Sequence, residues 1–237
     1  MRRLVRWLLA PFIILALLFV VANVIVQRVA QSKIASTLET TFHLAARPTV
    51  SIGGFPIIGS ILSGHLPRVS FTAASATFQG LTVEHISVTL VDVGASGGFL
   101  RGGPLMIEVG AGTVRARATN AAVNAYFKDH GQNATIAFHE GHAVVRAVRT
   151  FLGRKRTLVA DGTVAREGST LVFRPTSVTV DGHPPPPGTE QLAKQKATLR
   201  VQLPPLPGGI TSYGIKAVEG AAAISANLQN QRLDLSG

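Results

Sequence analysis

Ser51-Ile52-Gly53-Gly54-Phe55-Pro56-Ile57-Ile58-Gly59-Ser60-Ile61-Leu62-Ser63-Gly64 divides this chain into two kinds of periodicity. Ahead of it, Val26, Ala30, Ile34, Leu38 and Phe42 stand four apart, which places them on one face of a helix. That helix is expected to end near Ala45 and Ala46, because Pro48 disfavours helical backbone in the residue before it. Behind the stretch, Val69, Phe71 and Ala73 alternate with Ser70, Thr72 and Ala74, the period of a strand covered on one face. Within it, Gly53 and Gly54 permit backbone angles denied to other residues and Pro56 lacks a donor. Phe55, Ile57, Ile58, Ile61 and Leu62 supply a dense apolar cluster. Such a cluster is either a plug closing one end of a core or an apolar lip that faces lipid.

Toward the amino terminus the chain becomes a membrane-type segment. Arg2, Arg3 and Arg6 precede Leu8 to Val26, a run of 19 residues without a charge. As a helix this run would cover about 28 Å, close to the thickness of a bilayer's hydrocarbon core. The three arginines are expected to stay on the cytoplasmic side, which puts the rest of the chain outside the cytoplasmic membrane. Two readings of residues 1–26 stand: a retained anchor, favoured by the length of the run and its continuation as a helix, or a signal cleaved after Val20-Val21-Ala22. Residues 27–237 then form a single domain.

Composition narrows the chemistry. Of 237 residues, 46% are apolar, enough to bury a substantial core. There is no cysteine, which excludes a disulfide, a thiolate metal site and a cysteine nucleophile. Net charge is +11, and setting aside the three leading arginines leaves +8 on the exported part. A basic exported domain points to anionic partners, either lipid headgroups or wall polymers. Nucleic acid does not fit, since the topology places the domain away from it and few aromatic residues accompany the basic segments.

Beyond the dividing stretch, strands dominate. They are expected from Val69, from Leu81 to Val93 after a Gln79-Gly80 turn, and around Val114, Ala116 and Ala118, which alternate with Arg115 and Arg117. Asn120 is read as the cap of a short helix that ends at Gly131. Further strands are expected over 135–138, 142–148, 157–164, 171–173 and 177–180. A stiff His183-Pro184-Pro185-Pro186-Pro187-Gly188 connector and a turn or two of helix follow, then strands at 197–203, near Lys216, at 222–227 and near Leu233. Hairpin order with few short helices indicates an antiparallel α+β domain.

Three motifs invite a chemical reading. Gly94-Ala95-Ser96-Gly97-Gly98 has the spacing of a nucleophile elbow, but the breaker-rich Phe99 to Pro104 replaces the helix that such an elbow needs, so no catalytic residue is assigned. His139-Glu140-Gly141-His142 gathers ligand-type groups at a spacing unsuited to a helical zinc motif. The histidines share a face only if Gly141 makes a bulge or turn, and no metal or other cofactor is assigned. Arg146, Arg149, Arg154, Lys155 and Arg156 put five cations into eleven residues without an acid, a solvated hairpin or a contact for phospholipid phosphates.

Pro48-Thr49-Val50-Ser51-Ile52-Gly53-Gly54-Phe55-Pro56, followed by Leu62-Ser63-Gly64, Leu81 to Leu90 and Leu203-Pro204-Pro205-Leu206-Pro207, resembles the LmeA-like phospholipid-binding family of actinobacterial envelope proteins over roughly residues 25–235. The resemblance implies an α+β fold. In it an N-terminal membrane helix continues into an amphipathic helix, followed by a long curved, mainly antiparallel sheet with one or two short helices. It implies a non-enzymatic protein that holds an anionic phospholipid and serves upkeep of envelope lipids or lipoglycans. Residue chemistry, not a transferred family site, makes Phe55, Ile57, Ile58, Ile61 and Leu62 candidate acyl-chain contacts and Arg154, Lys155 and Arg156 candidate headgroup contacts. The contrasting expectation is an envelope scaffold that binds a protein or an anionic wall polymer; neither reading names a protein partner.

Overall fold

The computed structural model describes residues 2–41, 44–54, 56–95, 106–202, 210 and 213–234. Helix α1 (Arg2–Thr41) runs unbroken from the apolar segment into the amphipathic one and ends some residues before Ala45, so the turn toward Pro48 is made by non-helical chain. After β1 (Thr49–Gly53) comes α2 (Ile57–Ser63), a short helix within the dividing stretch. Then come β2 (His65–Phe78), β3 (Leu81–Ala95), β4 (Met106–Thr119), α3 (Asn120–Asp129), β5 (Ala134–His139), β6 (His142–Phe151), β7 (Arg154–Glu167) and β8 (Thr170–Val180). Helix α4 (Glu190–Ala197), β9 (Leu199–Gln202), β10 (Gly214–Val218) and β11 (Ala221–Asp234) complete the described chain.

The strands form two antiparallel sheets, ordered β1-β2-β3-β4-β11-β10 and β5-β6-β7-β8-β9, and one of the sheets curls into a half-barrel. The expected α+β fold with mainly antiparallel strands is therefore present, with the strands shared between two sheets. Two segments read as separate strands, 171–173 and 177–180, are one strand that crosses Pro175 by a bulge opposite Asp161 and Gly162. Gly162 is required there: a Cβ would sit 2.2 Å from the Arg174 carbonyl oxygen and 2.7 Å from the Pro175 Cα.

Sequence reading gave the cap of α3 to Asn120, but the Thr119 hydroxyl takes that role, accepting from the Ala122 amide at 3.3 Å. Asn120 does something the pattern did not announce. Its Oδ1 accepts from Phe138 N at 2.9 Å, while Asn124 accepts from Ile136 N at 2.7 Å and donates to Ile136 O at 3.0 Å. Four helical residues advance about 6 Å and two strand residues about 6.6 Å, so the two asparagines match the outward amides of the edge strand β5. The helix thus closes an edge that would otherwise offer unpaired backbone to another chain.

One core, with Phe127, Phe138 and Phe173 among its fully buried side chains, spans both sheets, α3 and α4. A second, smaller cluster of Ala35, Leu38, Val50, Ile52 and Ile57 joins α1 to β1 and α2. Each large side chain fully buried in these clusters contributes about 1.5–3 kcal/mol.

Candidate functional site

The apolar dividing stretch is seated against α1. Asn23, inside the uncharged run and only 2% exposed, accepts from Ile57 N at 2.7 Å and from Ile58 N at 3.3 Å, so one helix caps the start of another. One turn on, Gln27 Nε2 donates to Ile52 O at 2.8 Å. The faces agree with the period read from sequence: Leu38 is buried and Ala30 and Ile34 are half-buried, while Val24, Ile25 and Val29 are exposed. Ile57 is fully buried in this junction and Ile58 is half-buried. Ile61 and Leu62 belong to α2, with side chains outside the described set, and Phe55 lies outside the described residues. At Ile57 the stretch packs as a plug between α1 and the sheet.

A second apolar feature lies on the six-stranded sheet. Phe71, Val88, Val114 and Ala226 stand opposite one another across four strands, and Ala116, Ile224 and Ile215 do so one step along. Partners in an antiparallel ladder point to the same side, so these residues share the core face. Val88 and Ala226 are buried, yet Phe71, Val114, Ala116, Ile215 and Ile224 are only half-covered. They form a strip of apolar side chains partly open along a face otherwise packed.

The cations sit elsewhere. Arg154 and Lys155 are exposed at the β6–β7 hairpin, while Arg156 pairs with Asp181 at 2.7 Å. That hydrogen bond, aided by the Thr157 amide, holds the Asp181 carboxyl below its ordinary value. Beside the hairpin, an open groove of about 880 Å³ between α3 and the outer face of β5, β6 and β7 is lined by Lys128, Arg146, Asn124, Thr135 and Val148, among others, with no acid. The candidate acyl-chain and headgroup residues from sequence are therefore not brought together: α2 packs on β2, and Arg154 to Arg156 lie on the other sheet.

The two remaining motifs resolve simply. Glu140 and Gly141 make a tight turn, with Gly141 at φ +76°, so His139 and His142 pair across the hairpin and their rings stack with centroids 5.2 Å apart. Each faces one carboxylate, Glu219 at 3.3 Å and Asp161 at 3.5 Å. No group of three metal-ligating side chains occurs among the described residues. Ser96 lies outside them.

A family model described as LmeA-like phospholipid-binding matches residues 21–226, from the junction end of α1 into β11. The chain belongs to the LmeA-like phospholipid-binding family. No curated protein and no solved structure matches it. In this LmeA-like chain, the apolar helix at the amino terminus could serve as a membrane span or a signal sequence on length and composition. Sequence reading missed Asn23 as a structural residue, although a lone amide within a 19-residue uncharged run is a signal that something must satisfy it.

Proposed function

We propose that this protein is a membrane-anchored, non-catalytic carrier or holder of anionic phospholipid, acting outside the cytoplasmic membrane in upkeep of envelope lipids or lipoglycans. Family membership supports the ligand class. The observation that carries the site is the half-covered strip of Phe71, Val114, Ala116, Ile215 and Ile224. A sixteen-carbon acyl chain left in water costs roughly 12 kcal/mol, so a protein that holds one must offer a continuous apolar surface. Small Ala116 in mid-strip leaves room for it. The exposed stem of α1, apolar from Leu17 to Val21, supports a retained anchor that keeps the domain at the bilayer from which lipid is drawn. Arg154, Lys155 and Arg156 are headgroup contacts on a surface separate from the strip.

Organic extraction of the purified full chain tests the reading. Phospholipid is expected at near-equimolar yield, falling steeply in Ala116→Trp while the melting temperature stays within a few degrees. Protein that carries no lipid would favour the scaffold reading instead.

A further inference from the structure

We infer that the β6–β7 hairpin is a second membrane-contact site, a fingertip of the five-stranded sheet that docks on an anionic bilayer. The inference takes its class of partner from the phospholipid reading and shares Arg154 and Lys155 with it, but it turns on Leu152 and Val148, which that reading does not use. The hairpin turn is Leu152-Gly153, with φ +49° and +78°, the backbone of a type I′ turn. Among the described residues, two other turns have a similar pair of positive φ angles, Gln79-Gly80 and Asp181-Gly182, and both place a polar residue first. Leu152 is the only large apolar residue at positive φ among the described residues, and it is 60% exposed. A bulky apolar side chain at this position costs the fold both strained backbone and exposed hydrocarbon. Neither cost is recovered within the chain, and asparagine would avoid both.

What surrounds Leu152 identifies the partner. Among the described residues outside α1, the large apolar side chains left exposed are Val148, Leu152 and Leu192, and two of these belong to this hairpin. From Arg146 to Arg156 the hairpin carries five cations and no acid. Arg156 is held by Asp181 and Arg149 donates to the Asn133 and Val148 carbonyls, whereas Arg146, Arg154 and Lys155 are exposed. An apolar tip collared by unneutralised cations suits a bilayer surface bearing anionic headgroups: the leucine enters the acyl boundary and the cations stay at the phosphates.

The fold sets where this contact falls. At one end of β7, Arg166 donates to the Tyr213 carbonyl at 3.0 Å, beside the start of β10 in the six-stranded sheet. The hairpin closes at the other end of the same strand, at Arg154, about 40 Å away along an extended chain. Helix α1 packs on β1 and α2, at the far side of the six-stranded sheet's order from β10. The fingertip therefore belongs to the five-stranded sheet, whereas α1 packs on β1 of the other sheet and on α2.

The test uses the full chain in phosphatidylcholine nanodiscs, mixed with separate vesicles of phosphatidylcholine alone or with phosphatidylglycerol, and follows co-flotation. Wild-type discs are expected to float with the anionic vesicles and not with the neutral ones. Leu152→Asn should weaken that capture about tenfold without lowering the melting temperature, since asparagine accepts the left-handed turn. Arg154→Glu with Lys155→Glu should abolish capture. Wild-type protein captured by neither vesicle, or by both equally, overturns the inference, as does capture that survives these variants. Lipid extraction separates the two readings: if the wild type floats with anionic vesicles yet yields no lipid, the strip fails and the fingertip stands, whereas Leu152→Asn that loses capture and still yields lipid shows that the two surfaces act apart.

Discussion

Asn23 shows how one side chain couples the apolar amino-terminal helix to the folded domain. Its amide oxygen replaces two partners that the first amides of α2 cannot find within their own helix. Asn23→Ala removes that acceptor from a buried place and should destabilise the chain by about 2 kcal/mol, read as a shifted denaturation midpoint of the full chain in detergent micelles. Asn120 and Asn124 make the same point at the edge of β5. Their helical spacing was visible in the sequence and their task was not, because only the fold shows which strand amides lie opposite. The basic residues behave in the reverse way. Their clustering was plain from sequence, while the neutralisation of Arg156 by Asp181, twenty-five positions along the chain, needed the hairpin to bring them together.

At the scale of elements, period carried most of the architecture. The alternation from Val69 onward reads directly onto β2, and the four-residue spacing from Val26 onto the packed face of α1. The sequence pattern splits β8 into 171–173 and 177–180, on either side of Pro175. In fact the strand absorbs the proline at a bulge, where a register shift relieves the lost donor. Gly162 makes this workable, and Gly162→Ala drives a methyl into the Arg174 and Pro175 backbone. That substitution should cost on the order of 2–3 kcal/mol, visible in thermal unfolding, because backbone cannot step aside as a flexible side chain does. The division into two sheets was less legible. Alternation reports that a strand has a covered face and says nothing of which sheet supplies the cover.

For the whole molecule, α1 is part of the folded unit well past the apolar run, as its four-residue spacing implied. Ala35 and Leu38 complete the cluster around Val50, Ile52 and Ile57. A chain beginning at Asn23 should therefore keep the melting behaviour of the full protein, whereas one beginning at Pro48 strips that cluster. The shorter chain should lose about 5 kcal/mol and become prone to aggregation, as size-exclusion chromatography and denaturant titration would show. The candidate site was half-legible for a related reason. The dividing stretch announced an apolar cluster, and the buried Ile57 follows from it, but the half-covered strip is assembled from four strands whose residues are individually ordinary. No local pattern marks Ala116 and Ile215 as neighbours of Ile224 until the registers are set.

The tie between Asn23 and α2 also works as a depth stop. In the form that keeps α1, only the uncharged part of the helix from Trp7 to Ala22 is available to hydrocarbon, about 24 Å of rise against a bilayer core of about 30 Å. There is no slack for the domain to ride higher or sink lower without uncapping α2 or dragging arginines into the oil. In that form the start of α2 is held at headgroup level by the helix that caps it.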